Sequence, residues 1–171
     1  THHFMIVLLD VHYRENEAHA AAVVIDRWSA DRPYRTYQHR IAEVAPYEPG
    51  AFYKREMPCL IETMAQIEEE IDCMVVDGFV WLNGEKKPGL GGHLYEYYRE
   101  FIPIIGVAKT PYGEPHLLCE LLLRGDSQVP LYVTAAGIDL PTAVSCIRDM
   151  SGPYRFPTLL KLTDQLSKDW T

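Results

Sequence analysis

Apolar residues in this chain fall into short unbroken runs separated by polar turns, the pattern of strands covered on both faces. Residues 4–9 form a continuous, β-branched-rich run that closes on Asp10, which predicts a central strand with a carboxylate at its C-terminal end. Residues 20–25 form a second run ending at Asp26-Arg27-Trp28, and residues 34–41 alternate aromatic and basic side chains after a turn signal at 29–33. Three such segments in succession predict an antiparallel meander. Met57, Leu60, Ile61, Met64, Ile67 and Ile71 then recur at three- and four-residue intervals, which predicts an amphipathic helix over 53–71. Its Glu68-Glu69-Glu70 run reads as a solvated face.

The second half begins with an almost wholly apolar segment, 73–76, that also arrives at a carboxylate, Asp77, followed by Gly78. A glycine-rich loop over 83–92, a helix over 93–101 and a third buried strand over 102–108, ending at Lys109, follow. Further strands are expected over 117–123 and 131–135. A helix over 141–150 is N-capped by Asp139 and stopped by Gly152, and a last amphipathic helix covers 157–170. The predicted fold is therefore one α/β domain over 4–171: a mixed sheet in which three antiparallel strands continue into parallel strands, flanked by helices. Thr1-His2-His3, ahead of Met5, reads as a tag remnant and is left out of the site reasoning.

Composition narrows the class. In 171 residues, 47% are hydrophobic, and 16 Lys+Arg stand against 24 Asp+Glu, a formal net charge of −8. A chain of this length buries roughly 70% of its unfolded surface, enough to need neither disulfides nor a structural metal. No apolar run approaches the ~20 residues that cross a bilayer, and no charged-then-apolar leader opens the chain. Cys59, Cys73, Cys119 and Cys146 lie far apart, without Cys-x-x-Cys or zinc spacing, which predicts reduced thiols in a cytoplasmic protein. The acidic balance argues against a broad electrostatic grip on nucleic acid, yet leaves room for a small basic rim beside an acidic, metal-holding centre.

Asp10 and Asp77 are where chemistry is expected. Ligands of open α/β sheets collect outside the carboxyl ends of the parallel strands, so these two residues are neighbours if their strands are adjacent. Two carboxylates ~4 Å apart repel by about 4 kcal/mol at an effective dielectric near 20. A hard cation, Mg²⁺ or Mn²⁺, offsets that with all-oxygen ligands, whereas zinc asks for His or Cys. Either Asp alone is equally well read as a strand-end or turn residue.

Several separate motifs carry a resemblance. They are Leu9-Asp10-Val11-His12-Tyr13, Pro46-Tyr47-Glu48-Pro49-Gly50, Phe52-Tyr53-Lys54-Arg55-Glu56, Val76-Asp77-Gly78, Gly89-Leu90-Gly91-Gly92-His93 and Ile105-Gly106-Val107-Ala108-Lys109-Thr110, closed by Tyr132-Val133-Thr134-Ala135-Ala136-Gly137 and residues 157–164. In this order and spacing they resemble the endonuclease V family. The resemblance implies a ribonuclease H-like fold and a metal-dependent endonuclease, using Mg²⁺ with Mn²⁺ as substitute. Its expected substrate is DNA containing deaminated bases, deoxyinosine above all, or inosine-containing RNA, with hydrolysis of a nearby 3′ phosphodiester in DNA repair. By the same resemblance Asp10, Glu56, Asp77 and Asp164 are metal-binding and catalytic, and Lys109 is catalytic. Tyr47 is a wedge, Gly50, Gly78, Gly89 and Leu90 touch the expelled base, and Lys86 and Lys87 touch phosphate.

The chain departs from the family pattern in beginning directly at the first strand. It departs also in the loop after Asp77, where one extra residue and Phe79–Pro88 replace an Asp-Gly-x-Gly and His-Pro-Arg element. Asn83 is expected near the place of the missing His, and Lys86 or Lys87 in place of the Arg. His93 reads equally as a packed helix-start residue. The altered loop keeps alternatives open: an inosine-specific ribonuclease, a structure-specific nuclease, or a catalytically weak module that binds modified nucleic acid.

Overall fold

The computed structural model describes residues 2–49, 51 and 53–170; Gly50, expected at the wedge loop, lies outside them. Seven strands form one sheet in the order β3-β2-β1-β4-β5-β7-β6, with β1 Ile6–Arg14, β2 Glu17–Ile25, β3 Arg35–Ile41, β4 Cys73–Asp77, β5 Ile104–Ala108, β6 Glu120–Leu122 and β7 Leu131–Ala136. The expected meander is there: β1 pairs antiparallel with β2, and β2 with β3. The parallel continuation is there too, β1 with β4 and β4 with β5. Beyond β5 the sheet turns antiparallel again through β7 and β6.

Side chains alternate across the sheet, so each central strand serves two cores. Ile6 and Leu8 of β1, Val75 of β4 and Ile105 and Val107 of β5 pack with Val144 and Ile147 of α3 (Leu140–Asp149) and Leu159 and Leu160 of α4 (Thr158–Ser167). Val7, Leu9, Met74, Val76 and Ile104 pack on the other face with Leu60 of α1 (Tyr53–Met64) and Leu94 of α2 (Leu90–Tyr97). Every one of those central-strand positions is almost fully buried, which explains why their sequence is continuously apolar. Asp139 caps α3 as expected, accepting from the Thr142 backbone N–H at 3.3 Å.

Several boundaries differ from the sequence reading; the strand expected over 117–123, for one, covers only Glu120–Leu122, with Leu117 94% exposed. The first strand does not end at Asp10 but runs on to Arg14, paired with β2 throughout. The first helix stops at Met64 rather than 71, because β3 recruits the acidic run. Arg35 pairs with Glu68 at 2.8 Å, and the Tyr37 hydroxyl donates to Glu69 at 2.6 Å and accepts from the Glu68 backbone N–H. Glu68 and Glu69 therefore tether a loop to the sheet edge instead of lining a free helical face. The second helix spans Leu90–Tyr97 rather than 93–101 and takes in Gly91 and Gly92.

Gly106, in the middle of β5, shows how tightly the site's floor is packed. A Cβ there would stand 2.6 Å from the Gly78 carbonyl oxygen and 2.8 Å from Thr134 Oγ1, the hydroxyl that accepts the Val80 backbone N–H at 2.8 Å. Gly106→Val should therefore lower unfolding stability by roughly 1–3 kcal/mol. Urea denaturation reads this directly, and an unchanged midpoint would show that the segment after Asp77 moves aside without cost.

Candidate active site

Parallel pairing of β1 with β4 ends at Leu9↔Val76, while β1 continues along β2 to Arg14↔Glu17. Asp10, next in register to Asp77, is thus the first residue of β1 without a paired partner in β4. Asp77 ends β4 opposite Val107. Gly78, at φ +106, then turns the chain sharply through a backbone region that residues with a Cβ rarely adopt. By the period of two, Asp10, Asp77 and Lys109 follow the face of Leu8, Val75 and Val107, the face that α4 covers. Asp164, on α4, completes that side. Glu56 comes from the opposite face, in the first turn of α1.

The carboxylates feel one another. Desolvation, then the charge of Asp77 and a hydrogen bond with Asp164, push Asp10 up to about 8. Desolvation and again the charge of Asp77 push Glu56 up to about 7. Asp77 is raised as well, chiefly by desolvation and against the pull of Lys109, although it is the one exposed residue of β4. Asp164 moves the other way. Burial works to raise it, but the Lys168 ammonium at 3.0 Å, the hydrogen bond with Asp10 and the charge of Lys109 together hold it below the usual range. The raised Asp10 and the lowered Asp164 move in opposite directions, as two interacting carboxyls do when they bind a proton as a pair. Lys109 lies 4.3 Å over the Phe156 ring, and Arg155 holds that strand end by donating to the carbonyls of Lys109 and Pro130.

As they stand, the carboxyls pair rather than converge: among the described residues no three His, Cys, Asp or Glu side chains form a group that could hold a metal ion. The donor chemistry nonetheless fits a hard divalent cation. Four carboxylates supply only oxygen, three have raised pKa values, and two already need a shared proton.

Beside the cluster lies a cavity of about 800 Å³ whose lining includes Glu56, Asp77 and Lys109. Gly78, Gly89 and Leu90, expected to touch a base, line it, and so does Lys87. Lys86 does not. With φ +61 it turns to the other side of its loop, 5.8 Å from the Trp81 ring. Asn83 is not a stand-in at the centre either: its Oδ1 accepts the backbone N–H groups of Glu85 and Lys87 at 2.9 and 3.1 Å, so it closes the turn of the altered loop. Tyr47 stands outside the cavity with 56% of its surface exposed. The cavity's aromatic lining escaped the sequence reading. Tyr53 and His93 stack with ring centroids 3.6 Å apart and 19° between planes, and Phe79 lies 6.2 Å from Tyr112. Burial lowers the pKa of His93. Its position in the first turn of a helix that opens on Gly89 was the one signal for it.

The family model for endonuclease V matches residues 2–165. The chain belongs to the endonuclease V family. It is 35% identical over 179 aligned positions to endonuclease V of Methanopyrus kandleri, covering 94% of this chain and 76% of that one. It is 32% identical to the Pyrococcus horikoshii protein, covering 95% and 72%. Against the Nostoc sp. endonuclease V, at 27% identity, the match covers 72% of this chain and 63% of the relative's length, so this chain spans less than two thirds of some family members. The crystal structure of Ciona intestinalis endonuclease V (D234N), in complex with a 23mer DNA containing an inosine followed by a ribo-adenosine, superposes with a TM-score of 0.83 at 16% identity, covering 96% of this chain and 83% of that one. Endonuclease V from Streptomyces avermitilis superposes with a TM-score of 0.76 at 23% identity, covering 96% and 79%. The family fold is ribonuclease H-like, as the sheet order here shows.

Among the described residues, no helix is long and apolar enough to cross a membrane.

Asp10 binds its proton more tightly folded, at about 8, than at the ordinary value of 3.8. Its contribution therefore favours the fold at low pH and is lost as pH rises from about 4 to about 8. In metal-free buffer at pH 8, Asp10→Asn should raise Tm by at least about 2–4 °C, the shift that 1 kcal/mol produces in a chain of this size. Added Mg²⁺ should raise the wild-type Tm more than that of the variant. A lower Tm for Asp10→Asn in metal-free buffer would contradict the repulsion described here.

Proposed function

We propose that this chain is a metal-dependent endonuclease of DNA repair that recognises deaminated bases, deoxyinosine first, and hydrolyses a phosphodiester on the 3′ side of the lesion. The observation that carries the reading is that the cavity shares Glu56, Asp77 and Lys109 with the carboxylate cluster, so a base held in the one keeps its own backbone beside the other. Family membership supports it, as does the inosine-containing DNA bound to the Ciona protein. The catalytic unit is one domain over 4–171. The DNA substrate and four free thiols fit work in the cytoplasm.

Asp10, Glu56, Asp77 and Asp164 are the residues that would hold Mg²⁺, or Mn²⁺ in its place, which supplies an activated water and neutralises charge on the phosphoryl oxygens. Asp10 and Asp164 would hold the ion as deprotonated carboxylates. Lys109 presents its ammonium to the phosphate from the end of β5 and offsets the charge that builds there. Taking a base out of its stack costs a few kcal/mol, least at a weak pair such as one with inosine. Tyr47 fills the gap left in the stack, and Pro46 and Pro49 restrict its loop. The expelled base enters beside Gly78, Gly89 and Leu90, walled by the Tyr53–His93 stack. Hypoxanthine carries a six-position oxygen where adenine has an amino group, so backbone N–H donors in the cavity favour the deaminated base. Lys87, on the rim, meets phosphate.

The ribo-adenosine that follows the inosine in the Ciona complex keeps inosine-containing RNA as a second reading. Matched duplexes with and without one inosine, in DNA and in RNA, incubated with Mg²⁺ or Mn²⁺, decide between them. Cutting only of inosine-containing DNA, reduced to background in Asp77→Asn, is the expected result. Cutting of RNA alone selects the second reading, and inosine binding without cutting in either metal leaves a binding module. Tyr47→Ala should weaken inosine-duplex binding roughly 5- to 100-fold, the worth of one stacking contact. Tyr47→Phe should retain it, and equal affinity in all three proteins would remove the wedge.

A further inference from the structure

Across the sheet from the cavity, on the face that carries Asp10, cations gather where an acidic chain would not be expected to place them. Asp10, His12 and Arg14 share one face of β1, and the sheet register sets His12 against His19 of β2 and His19 against Arg40 of β3. Trp170, just beyond α4, lies over this ladder. The Arg14 guanidinium stands 4.9 Å and that of Arg40 5.4 Å from the indole centroid, and the rings of His12 and His19 meet it at 6.4 and 5.5 Å. The indole N–H is buried without an acceptor, so the ring is positioned by its cations and by packing. The His19 ring bonds the Ser167 carbonyl at 3.0 Å and anchors the end of α4.

We propose that Arg14 and Arg40, oriented by Trp170, form a clamp for the phosphate backbone of the substrate strand on the far side of the cut from the flipped base. The proposal rests on the nuclease reading above. Arg14 is exposed and makes no ion pair among the described residues. Arg40 keeps 58% of its side chain exposed although it also meets Glu17 at 3.1 Å. A guanidinium laid on an aromatic face still offers its N–H edge, in the planar fork that matches phosphate, and has lost less freedom when it binds. Position agrees with charge. Arg14 lies four positions beyond Asp10, roughly 13 Å along β1, and the sheet order sets Arg40, Arg14, Asp10, Asp77 and the cavity in a line. A strand with one base in the cavity and a phosphate at the carboxylates continues over this surface. Glu17 at the β1–β2 turn already pairs with Arg40, so Arg14 is the freer of the two guanidiniums.

The test is a set of inosine duplexes identical on the lesion side of the cut and either long or truncated just beyond the cut on the other. With the long duplex in Mg²⁺, Arg14→Ala and Arg40→Ala should each raise KM about 3- to 10-fold with kcat unchanged. Each should also reduce the slope of log affinity against log salt by about one, the loss of one phosphate contact. Arg14→Lys should recover part of the effect. The truncated duplex should show no difference between wild type and variants, and thermal melts should confirm that the variants fold. An unchanged KM and salt slope on the long duplex, with wild type still cutting at inosine, overturns the clamp and leaves the nuclease reading standing. Equal losses on long and truncated duplexes make the two arginines tethers of Trp170 alone, and also overturn it. If wild type neither binds nor cuts any inosine duplex, the nuclease reading falls and takes the clamp with it.

Discussion

Like charges in a partly dry site repel by several kcal/mol per pair, and Asp10, Asp77, Glu56 and Asp164 approach from both faces of one sheet near enough to shift one another's titration. The fold meets that cost locally. One proton is shared between Asp10 and Asp164, Lys168 pairs with Asp164, and Lys109 pulls on Asp77 and Asp164. The two central cores hold the arrangement in place. Ile6, Leu8, Val75 and Ile105 on one face and Val7, Leu9, Met74 and Val76 on the other fix β1 against β4 so firmly that their ends cannot spread to relieve the repulsion. Stability is surrendered at the strand ends and supplied by the strands themselves, the division expected when a binding site is built on a rigid scaffold.

The same strands set the site's asymmetry. Because β4 leaves β1 after Leu9↔Val76 while β2 accompanies β1 to Arg14, Asp10 has an open side and a walled side. On the open side stands Asp77, which lines the cavity together with Gly78, and behind Gly78 its carbonyl packs closely on Gly106. The walled side continues as a paired hairpin long enough to carry His12 and Arg14 beyond the carboxylates. A strand that stopped at Asp10 would have made a centre with nothing on one flank.

Much of this was legible in the sequence because burial on both faces leaves a continuous apolar run, and a carboxylate that ends such a run has few structural uses. Asp10 and Asp77 were located that way, while the adjacency of their strands, a condition in the sequence reading, is seen in the pairing of β1 with β4. What escaped had a physical reason in each case. The extension of β1 past Asp10 reads as polar because Val11, His12, Tyr13 and Arg14 alternate under α1 and α4 rather than being buried on both sides. The early start of α2 was hidden by Gly91 and Gly92, which look like loop residues but are small because the helix presses on Val80. That Asn83 closes its own turn and Lys86 lies by Trp81 could not be read, because a turn's internal hydrogen bonds leave no periodicity. The cavity's aromatics come from α1, α2 and two loops, and only tertiary structure brings Tyr53 onto His93.

Net charge was the weakest guide. At −8 the chain as a whole should be repelled by a polyanion, yet at an ionic strength of 0.15 M charges more than about 8 Å away are largely screened. What a backbone meets is therefore the local arrangement, not the sum. Many of the acidic residues away from the centre are engaged with cations of their own, as in Arg35 with Glu68 and Lys54 with Glu48. The carboxylates at the centre are the ones that a divalent ion would neutralise. Once those are accounted for, the cations that face outward along the line through Asp77 and Asp10 are Lys87 on the cavity rim, Lys109 at the end of β5, and Arg14 over Trp170, with Arg40 beside its Glu17 partner. An acidic chain can thus present a narrow cationic path, and a narrow path admits one strand in one register where a broad basic surface would hold any duplex in many.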